Sequence, residues 1–314
     1  MNYNFSDLNI LVIGDIMLDK FLYCESMRDS PEFPAPILTP IKQDLVLGGA
    51  ANVAKNIISL GANVLLVGVI GKDKDAVSLK NLLKAEGLND NFLISSKAET
   101  TTSKKRIICN NIQLARIDNE KSVYLDRHLQ ALKSIISENI NKVDGVIISD
   151  YNKGVINCDI SKFTIEIAHK KKKVIFVDPK KNNFDIYQGA QYITPNLNEI
   201  KIVIKNDSNN FNIIEEKTKK LCNDINSNIL ITKSENGLSL VKMNGDVINI
   251  EGEKISNPDV TGAGDTVIAS FALSILNENS EKESAKFANQ AASKVVQKNA
   301  TSTVSIKEII KCTD

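Results

Sequence analysis

Leu8-Asn-Ile-Leu-Val-Ile-Gly14 is an apolar run rich in Leu, Ile and Val, the composition of a strand buried on both faces. Similar short runs follow at residues 63–68, 143–149, 173–177, 191–194 and 228–232. Segments with helical spacing lie between them, for example residues 50–60, 76–86, 160–171 and 213–223. Repeated strand–helix–strand units predict an α/β fold with helices on both faces of a mainly parallel sheet.

Polar residues follow the predicted strands at the points where they end. These residues are Asp15, Asp150, Asp178, Asn196 and Thr232. Each one alone is most simply a helix cap or a turn residue. Because ligands of open α/β sheets bind outside the carboxyl ends of the strands, the set together predicts a polar crevice for a hydroxylated or cationic ligand.

Two segments interrupt the strand–helix alternation. Residues 15–45 carry four prolines among short apolar pieces, and residues 100–118 place two apolar runs around Asn110-Asn111. An Asn-Asn pair tolerates positive φ, so the second segment predicts a β-hairpin. We expect the two segments to form a small β lid beside the main sheet, within one domain covering residues 1–314.

Composition excludes several classes of function. Lys and Arg number 39 against 38 Asp and Glu, which leaves a net charge of +1 and no basic excess for nucleic acid. No apolar run reaches the roughly 20 residues of a membrane span, and the N-terminus does not resemble a signal peptide. The five cysteines are scattered, and His128 and His169 are expected on exposed helix surface. These features predict a soluble cytoplasmic protein without a histidine- or cysteine-based metal site.

The most informative motif is Asn257-Pro-Asp-Val-Thr-Gly-Ala-Gly-Asp265, which leads into an apolar segment long enough for a buried helix. Free N–H groups and the helix dipole at such a helix start favour an anion, and glycines let the backbone approach a phosphate. Asp265 lies in the first turn, where a carboxylate can accept a proton from an incoming hydroxyl. The simpler interpretation is a glycine turn followed by an Asp cap, and no Gly-Lys-Ser/Thr of a P-loop follows.

A second glycine motif, Gly48-Gly-Ala-Ala-Asn52, also precedes a predicted helix. Its glycines permit close backbone contact, and Asn52 offers an amide to hydroxyl groups. An ordinary loop-to-helix junction explains this motif equally well in isolation.

In combination, the Gly48-Gly49 and Asp259–Asp265 motifs resemble the two signatures of the ribokinase (PfkB-type) carbohydrate kinases, and the resemblance runs from about Leu8 to Ile310. It implies a ribokinase-like three-layer sandwich around a mainly parallel sheet, with a small β lid. It also implies a phosphotransferase that uses ATP and Mg²⁺, in many members with K⁺, to phosphorylate a sugar hydroxyl. Relatives often form homodimers through the lid.

The resemblance assigns roles by position. It makes Asp265 the catalytic base and Gly262, Ala263 and Gly264 the anion hole. The implied nucleotide-binding residues are Asn196, Leu197, Asn198, Glu199, Thr232, Gly237 and Asn289. Among them, Asn196 and Glu199 would organise Mg²⁺ indirectly, while Asp259 and Thr261 match a monovalent-cation site. The implied sugar-binding residues are Asp15, Asp19, Gly48, Gly49 and Asn52.

Further motifs are similar to the kinase half of the bifunctional heptose kinase/adenylyltransferases, among them Gly14–Asp19, Arg28–Glu32, Ser149–Gly154 and Val177–Lys180. That resemblance implies phosphorylation of O1 of D-glycero-β-D-manno-heptose 7-phosphate in ADP-heptose (lipopolysaccharide core) biosynthesis. Four cations are candidate ligands of the sugar's own phosphate or, equally, solvated surface: Lys104, Arg106, Arg28 and Arg116.

The chain departs from the heptose kinase pattern at three positions, Asp29, Phe33 and Ala300. It ends at Asp314, where the bifunctional enzymes continue, which predicts a kinase alone. The alternatives are another PfkB-type kinase of a pentose, hexose or hexose phosphate, and a non-catalytic nucleotide- or sugar-binding protein on the same scaffold. A nicotinamide-dependent dehydrogenase would need GxGxxG after the first strand, which Gly14-Asp-Ile-Met does not supply.

Overall fold

The computed structural model describes residues 3–32, 34–120, 126–298 and 301–310. Its strands are β1 (Asn9–Gly14), β2 (Ile16–Asp29), β3 (Pro36–Gly49), β4 (Asn63–Gly71), β5 (Leu93–Ser96), β6 (Thr102–Cys109), β7 (Ile112–Asn119), β8 (Gly145–Ser149), β9 (Val174–Asp178), β10 (Tyr192–Ile193), β11 (Asn228–Thr232), β12 (Leu238–Val241) and β13 (Val247–Ile250). Its α-helices are α1 (Ala50–Ser59), α2 (Lys74–Ala85), α3 (Leu129–Asn139), α4 (Cys158–Lys170), α5 (Leu197–Val203), α6 (Phe211–Ile225), α7 (Ala263–Leu276), α8 (Glu281–Val295) and α9 (Ile306–Ile310).

The larger sheet has the strand order β13-β12-β11-β10-β9-β8-β1-β4-β5 over the described residues. β1 lies centrally and pairs in parallel with β4 and β8, and the parallel pairing continues through β9 and β10 to β11. Only at one edge does the direction change, because β12 is antiparallel to both β11 and β13. The predicted mainly parallel sheet is therefore confirmed.

The strands are apolar without alternation because both faces of the sheet are covered. In β1, Ile10 and Val12 pack into one core, whereas Leu11 and Ile13 pack into the core on the opposite face. The first core includes buried residues of α1, α7 and α8, and the second includes those of α4 and α6. Burial on both faces gives the predicted three layers, helix–sheet–helix.

A smaller sheet, of order β3-β2-β6-β7, is formed by residues 16–49 and 102–119. β6 and β7 form the predicted hairpin, and Asn110 and Asn111 take φ values of 51° and 64° at its turn. The sequence predicted only short apolar pieces before residue 45, but β2 and β3 are continuous strands of 14 residues each. The edge strand β3 tolerates Pro36 and Pro40 because it needs no partner on its outer side, and Pro40 lies beside a β-bulge.

Some expectations need correction or fall outside the structure. His128 is not an exposed surface residue: its side chain is only 12% exposed, and its Nε2 lies 3.2 Å from Glu99 Oε1. His169 is exposed, as predicted. Two of the departures from the heptose kinase pattern, Phe33 and Ala300, lie outside the described residues. No helix in the described part of the chain is long and apolar enough to cross a membrane.

Candidate active site

The polar residues predicted at the strand ends meet at one edge of the larger sheet. Asp15 follows β1 and Asp150 follows β8, and the Asp150 N–H donates a hydrogen bond to the carbonyl oxygen of Asp178 at the end of β9. Farther along the same edge, Asn196 and Thr232 form a parallel β-bridge. Because parallel strands all end on one side, residues distant in sequence are gathered into one polar surface.

Asp265 lies in the first turn of α7 and is only 3% exposed. Both carboxylate oxygens accept hydrogen bonds: Asn52 Nδ2 donates to Oδ2 at 2.6 Å, and the Tyr151 hydroxyl donates to Oδ1 at 2.7 Å. Gly262 precedes the helix with φ 77°, and a Cβ there would lie 2.7 Å from Asn52 Nδ2. A glycine is therefore needed both for the helix entry and for the approach of Asn52 to Asp265.

Burial raises the pKa of Asp265 to about 6. The hydrogen bonds from Asn52 and Tyr151 act against this rise by stabilising the ionised form, and so does the positive charge of Lys104. The negative charge of Asp19 acts in the opposite direction. A carboxylate with this pKa is ionised above about pH 6 and has a higher proton affinity than an exposed Asp, which suits a general base.

Asp15 is fully buried, and its carboxylate fastens the loop that follows β8. Its Oδ2 accepts from the backbone N–H groups of Tyr151 at 2.8 Å and Lys153 at 3.0 Å, and its Oδ1 accepts from that of Val155 at 3.0 Å. Burial raises the pKa of Asp15 and these three hydrogen bonds lower it. The structure thus places Asp15 beneath the loop that carries Tyr151, and Tyr151 in turn contacts Asp265.

Asp19, on β2, forms an ion pair with Arg106 of β6, with 2.5 Å between Oδ1 and Nη1. A Cβ at Gly48 would lie 2.4 Å from Asp19 Oδ2, so this glycine leaves room for the Asp19 carboxylate. Gly49 is the residue before α1 and closes the antiparallel pairing of β2 and β3 opposite Ile16. The glycine pair therefore lets β3 pass close to β2 at the sugar-binding end that the sequence predicts.

Lys104 and Arg106 point to the same face of the small sheet, because they are two residues apart on β6. Lys104 pairs in register with Asp19, and its Nζ lies 5.7 Å from the centre of the Tyr151 ring. Burial lowers the pKa of Lys104, while Asp19 and Asp118 raise it. Among the described residues, no carboxylate forms an ion pair with Lys104.

Of the other two predicted cations, Arg116 is close enough for its charge to lower the pKa of Lys104, whereas Arg28 lies far from it. Arg116 is opposite Arg106 on β7 and makes two hydrogen bonds to Asp118, from Nε at 2.9 Å and from Nη2 at 3.0 Å. Arg28 is exposed near the far end of β2, nine residues beyond Asp19 (28 minus 19). At 3.2–3.4 Å per residue, nine residues of strand span about 30 Å, so Arg28 and Asp19 of the same chain do not lie at one site.

Asn196 and Glu199 form a capping box at the start of α5. The Glu199 N–H donates to Asn196 Oδ1, and the Asn196 N–H donates to Glu199 Oε2, both at 2.9 Å. Lys180 Nζ lies 2.6 Å from the other carboxylate oxygen of Glu199. Leu197 and Asn198 are the first residues of α5, so the whole predicted nucleotide segment lies at this helix start.

The remaining predicted nucleotide-binding residues lie along the same edge of the sheet. Thr232 ends β11, and its N–H donates to the carbonyl oxygen of Pro195, beside Asn196. Gly237 follows the turn after β11, and its backbone touches that of Gly252. Asn289 of α8 donates through Nδ2 to the carbonyl oxygen of Glu251 at 2.9 Å. In this structure Asn289 therefore holds the segment after β13, and Gly237 leaves room for it.

Two groups of oxygen atoms are relevant to the metal ions that the family resemblance implies, K⁺ and Mg²⁺. The Thr261 N–H donates to Asp259 Oδ1 at 3.0 Å, within the loop before α7. Asp178 is half-buried, and burial together with the charges of Asp265 and Glu199 raises its pKa well above its ordinary value. The described residues contain no group of three or more His, Cys, Asp or Glu side chains arranged to hold a metal ion.

Two residues at the site had no role assigned from sequence. Asp178 was noted as a strand-end carboxylate, and Tyr151 lies in the Ser149–Gly154 motif that resembles heptose kinases. For Tyr151 the available signal was its place in a motif just after a buried strand, at the edge where the other polar residues collect. Its contact with Asp265 joins residues 114 positions apart and leaves no local pattern.

The family of the chain follows from comparison with known proteins. The model of the pfkB family carbohydrate kinases matches residues 7–308. The chain belongs to the pfkB family. It is therefore a carbohydrate kinase, a phosphotransferase with a sugar hydroxyl as acceptor, and the recognition made from the two glycine motifs is confirmed.

Curated relatives of this pfkB kinase include the bifunctional protein HldE of Helicobacter pylori strain G27, with 40% identity over 308 residues. The bifunctional protein HldE of Nitrobacter hamburgensis has 36% identity over 309 residues. The alignments cover 96% and 97% of this chain but only 65% and 63% of the relatives. The chain thus spans less than two thirds of the length of these relatives.

Solved structures of pfkB kinases and ribokinases share the fold. Arabidopsis thaliana ribokinase complexed with ribose and ATP has a TM-score of 0.78 at 19% identity, with 97% of this chain and 98% of that chain covered. Escherichia coli phosphofructokinase-2 in complex with potassium has a TM-score of 0.77 at 16% identity, with 98% and 97% covered. The ribokinase-like fold predicted from the sequence is confirmed.

Proposed function

We propose that this pfkB kinase transfers the γ-phosphoryl group of ATP to O1 of D-glycero-β-D-manno-heptose 7-phosphate, in ADP-heptose biosynthesis. The observation that carries the chemistry is Asp265, a buried carboxylate at a helix start with a pKa of about 6 and two fixed hydrogen-bond donors. The identity of 36–40% to bifunctional HldE proteins supports the heptose substrate.

In the proposed reaction Asp265 accepts the proton of the attacking hydroxyl. The bond between that oxygen and the γ-phosphorus forms as the bond between the γ-phosphorus and the bridging oxygen breaks, and ADP leaves with the bridging oxygen. Asp265 then releases its proton to solvent. The backbone N–H groups at Gly262, Ala263 and Gly264 would stabilise the charge on the transferring group, and that of Ala263 would first have to leave the carbonyl oxygen of Val260, to which it donates at 3.2 Å. A Cβ at Gly264 would meet no described protein atom within 4 Å, so space beside this part of the helix start is open.

Asn52 supports a hydroxylated acceptor beside Asp265. Its Nδ2 is used by Asp265, and its Oδ1 is buried without a hydrogen-bond partner among the described residues. An unpaired buried acceptor costs about 1–3 kcal/mol, and a sugar hydroxyl can donate to it. The sugar would then lie between the side chains of Asn52 and Asp265, close to Asp19 and the Gly48-Gly49 pair.

Lys104 and Arg106 support a phosphorylated acceptor. Lys104 carries no ion-pair partner among the described residues and lies over Tyr151, the residue that touches Asp265. Arg106 is adjacent but shares its charge with Asp19. A dianionic phosphate would restore a favourable partner to the half-buried Lys104 ammonium. We therefore propose that Lys104 and Arg106 bind the phosphate group of the sugar. Arg116 would lie at the rim of this phosphate site, and Arg28 would lie outside any such site formed by one chain.

The nucleotide would lie along the edge defined by Asn196–Glu199, Thr232, Gly237 and Asn289. Magnesium, when bound with ATP, neutralises charge on the phosphate oxygens. Carboxylate and amide oxygens suit this hard cation, which usually keeps several waters, so Asn196 and Glu199 would act through water, next to Asp178. Asp259 and Thr261 would supply oxygen atoms for a monovalent cation such as K⁺.

Two further proposals concern the state of the protein. The small sheet exposes four large apolar side chains, Ile41, Ile112, Leu114 and Ile117. We propose that it acts as a lid and also as the contact surface of a homodimer. The proposed partners are otherwise ATP and the sugar phosphate alone, and the proposed location is the cytoplasm, where ATP is available.

The test is a coupled ADP-release assay with ATP and Mg²⁺. It compares D-glycero-D-manno-heptose 7-phosphate with ribose, fructose, fructose 6-phosphate and no sugar, and phosphorus NMR locates the new phosphate. We expect turnover selective for the heptose phosphate, with phosphate on O1, and none with Asp265→Asn. Selective turnover of another sugar would contradict the substrate and retain the kinase. ATP binding without turnover of any of these sugars would contradict the proposed reaction and favour a non-catalytic binding protein.

A further inference from the structure

Tyr151 is placed against the proposed base from two directions. Its hydroxyl donates to Asp265 Oδ1 at 2.7 Å, and its backbone N–H donates to Asp15 Oδ2 at 2.8 Å. Asp15 itself is buried and also holds the N–H groups of residues 153 and 155. The tyrosine is therefore anchored at its backbone while its side chain reaches the carboxylate.

We propose that Tyr151 is a positioning residue of this kinase: its hydroxyl fixes the orientation of the Asp265 carboxylate and stabilises its ionised form. The inference rests on the proposed role of Asp265 as the base. Asn52 holds Oδ2 and Tyr151 holds Oδ1, so the two donors together define the plane of the carboxylate. With one donor removed, the carboxylate could rotate about its Cβ–Cγ bond.

The Tyr151 hydroxyl remains a donor at any working pH. Burial, together with the charges of Asp265 and Asp178, raises the pKa of Tyr151 well above its ordinary value of 10.0. A phenol with so high a pKa keeps its proton, so it always donates to the carboxylate. Donation to the charged form of a carboxylic acid lowers its pKa. The hydrogen bond of Tyr151 accordingly opposes the effect of burial on Asp265.

Other charged groups also face Asp265 and must be held constant in a test. They are Asp19 of β2, Lys104 of β6 and Asp178 of β9. Lys104 also lies over the Tyr151 ring, so a substitution that keeps the ring preserves this contact. Tyr151→Phe removes only the hydroxyl and meets that requirement.

The chain offers a matched control in Tyr187. Its hydroxyl donates to Asp150 Oδ2 at 2.6 Å, so it forms a second buried Tyr–Asp pair at the same edge of the sheet. In the described part of the chain no hydrogen bond joins Asp150 to Asp265, and Asp150 has no role in the proposed reaction. Tyr187→Phe therefore removes a comparable hydrogen bond without touching the base.

The test measures the pKa of Asp265 directly, by carbon-13 NMR titration of side-chain carboxyl groups in the chain of residues 1–314 without substrate. The signal lost in Asp265→Asn identifies the residue. We expect Tyr151→Phe to raise this pKa by on the order of one pH unit and Tyr187→Phe to leave it unchanged. An unchanged pKa in Tyr151→Phe, or an equal rise in Tyr187→Phe, would overturn the proposal whatever sugar the enzyme uses.

Two further measurements complete the design. If Tyr151→Phe does not fold, a fluorinated tyrosine introduced at position 151 provides a more acidic and stronger donor, and it should lower the pKa of Asp265. With the sugar that the wild type turns over, Tyr151→Phe should lose roughly tenfold in kcat at pH 7 and recover part of it at pH 9. An equal loss at both pH values would indicate a merely structural role, and absence of wild-type turnover would contradict the proposed function and leave the NMR result standing.

Discussion

At the scale of single residues, Asp265 shows a conflict between stability and activity. Its pKa of about 6 exceeds the ordinary 3.8, so the folded state binds the proton more tightly than the unfolded chain. The stabilising contribution is therefore complete below about pH 4 and is lost as pH rises through 6. The difference of about 2.2 between the two values corresponds to roughly 3 kcal/mol of destabilisation at pH 8.

Asp265→Asn should abolish turnover and increase the stability of the fold at pH 8. The introduced amide cannot ionise, its oxygen can still accept from Tyr151, and Asn52 can turn its unpaired Oδ1 towards the new NH₂ group. We expect a gain of about 1–3 kcal/mol in the free energy of unfolding at pH 8, shrinking towards pH 4. Urea unfolding at pH 5 and pH 8 measures it. A variant less stable than the wild type at both pH values would contradict the assigned burial cost.

At the scale of elements, the carboxylate of Asp15 is the main anchor of the loop after β8, beside a hydrogen bond from the Asn152 N–H to Asp150 Oδ1 at 2.6 Å. Asp15 accepts from three backbone N–H groups of this loop, and all of these bonds reach across more than 130 positions of sequence. The loop also carries Tyr151, so its position is coupled to that of Asp265 on α7. Asp15 supports this loop in the structure, and its role as a sugar ligand, which the family resemblance implies, stays a prediction.

Asp15→Asn should loosen the loop while leaving the two main cores intact. In the Asn variant an NH₂ group, which cannot accept, replaces one of the two carboxylate oxygens that accept hydrogen bonds. At least one backbone N–H of the loop therefore loses its partner. We expect a loss of about 1–3 kcal/mol in stability and faster hydrogen exchange confined to residues 151–155. Mass spectrometry of exchanged peptides measures the second effect, with the β11–β12 peptides as the internal control. Unchanged exchange in the loop would show that Asp15 does not hold it.

At the scale of the whole molecule, the small sheet leaves apolar side chains on its surface. Ile117 on β7 is 55% exposed and Ile112 is 64% exposed, although both lie in regular strands. Exposed apolar strands are sites of association between chains. This surface belongs to the same sheet as the proposed substrate site, because that sheet also carries Asp19, Lys104 and Arg106.

The protein should sediment as a dimer at micromolar concentration, and Ile117→Glu should shift it towards monomer without lowering its melting temperature. A charge at this exposed position costs little in the single chain but opposes an apolar contact. Analytical ultracentrifugation of both proteins tests this, with Val77→Glu on α2 as a control at a similarly exposed apolar residue outside the small sheet. A monomeric wild type would contradict the proposed dimer.

The parts of this protein that depend on local patterns could be predicted from the amino-acid sequence. Val- and Ile-rich runs without alternation gave the buried parallel strands, because only strands covered on both faces favour them. Asn110-Asn111 marked a hairpin, because these residues accept positive φ. The glycines before Asp265 marked a helix start, since the first N–H groups of a helix have no partner within the helix. These signals, together with the family resemblance, were sufficient for the family, and they led to the proposal that Asp265 is the base.

The groups that surround Asp265 depend on tertiary packing, and local sequence patterns do not indicate them. Asn52 and Tyr151 reach Asp265 across 213 and 114 positions, and nothing in the spacing of such distant residues indicates a contact. The strand order β8-β1-β4 sets which loops meet, and burial then sets the pKa of Asp265. The same reason explains the error over His128, whose ring contacts Glu99, 29 positions away in the sequence. Periodicity reports local geometry, whereas electrostatics and hydrogen bonding at a site depend on the packing of the whole chain.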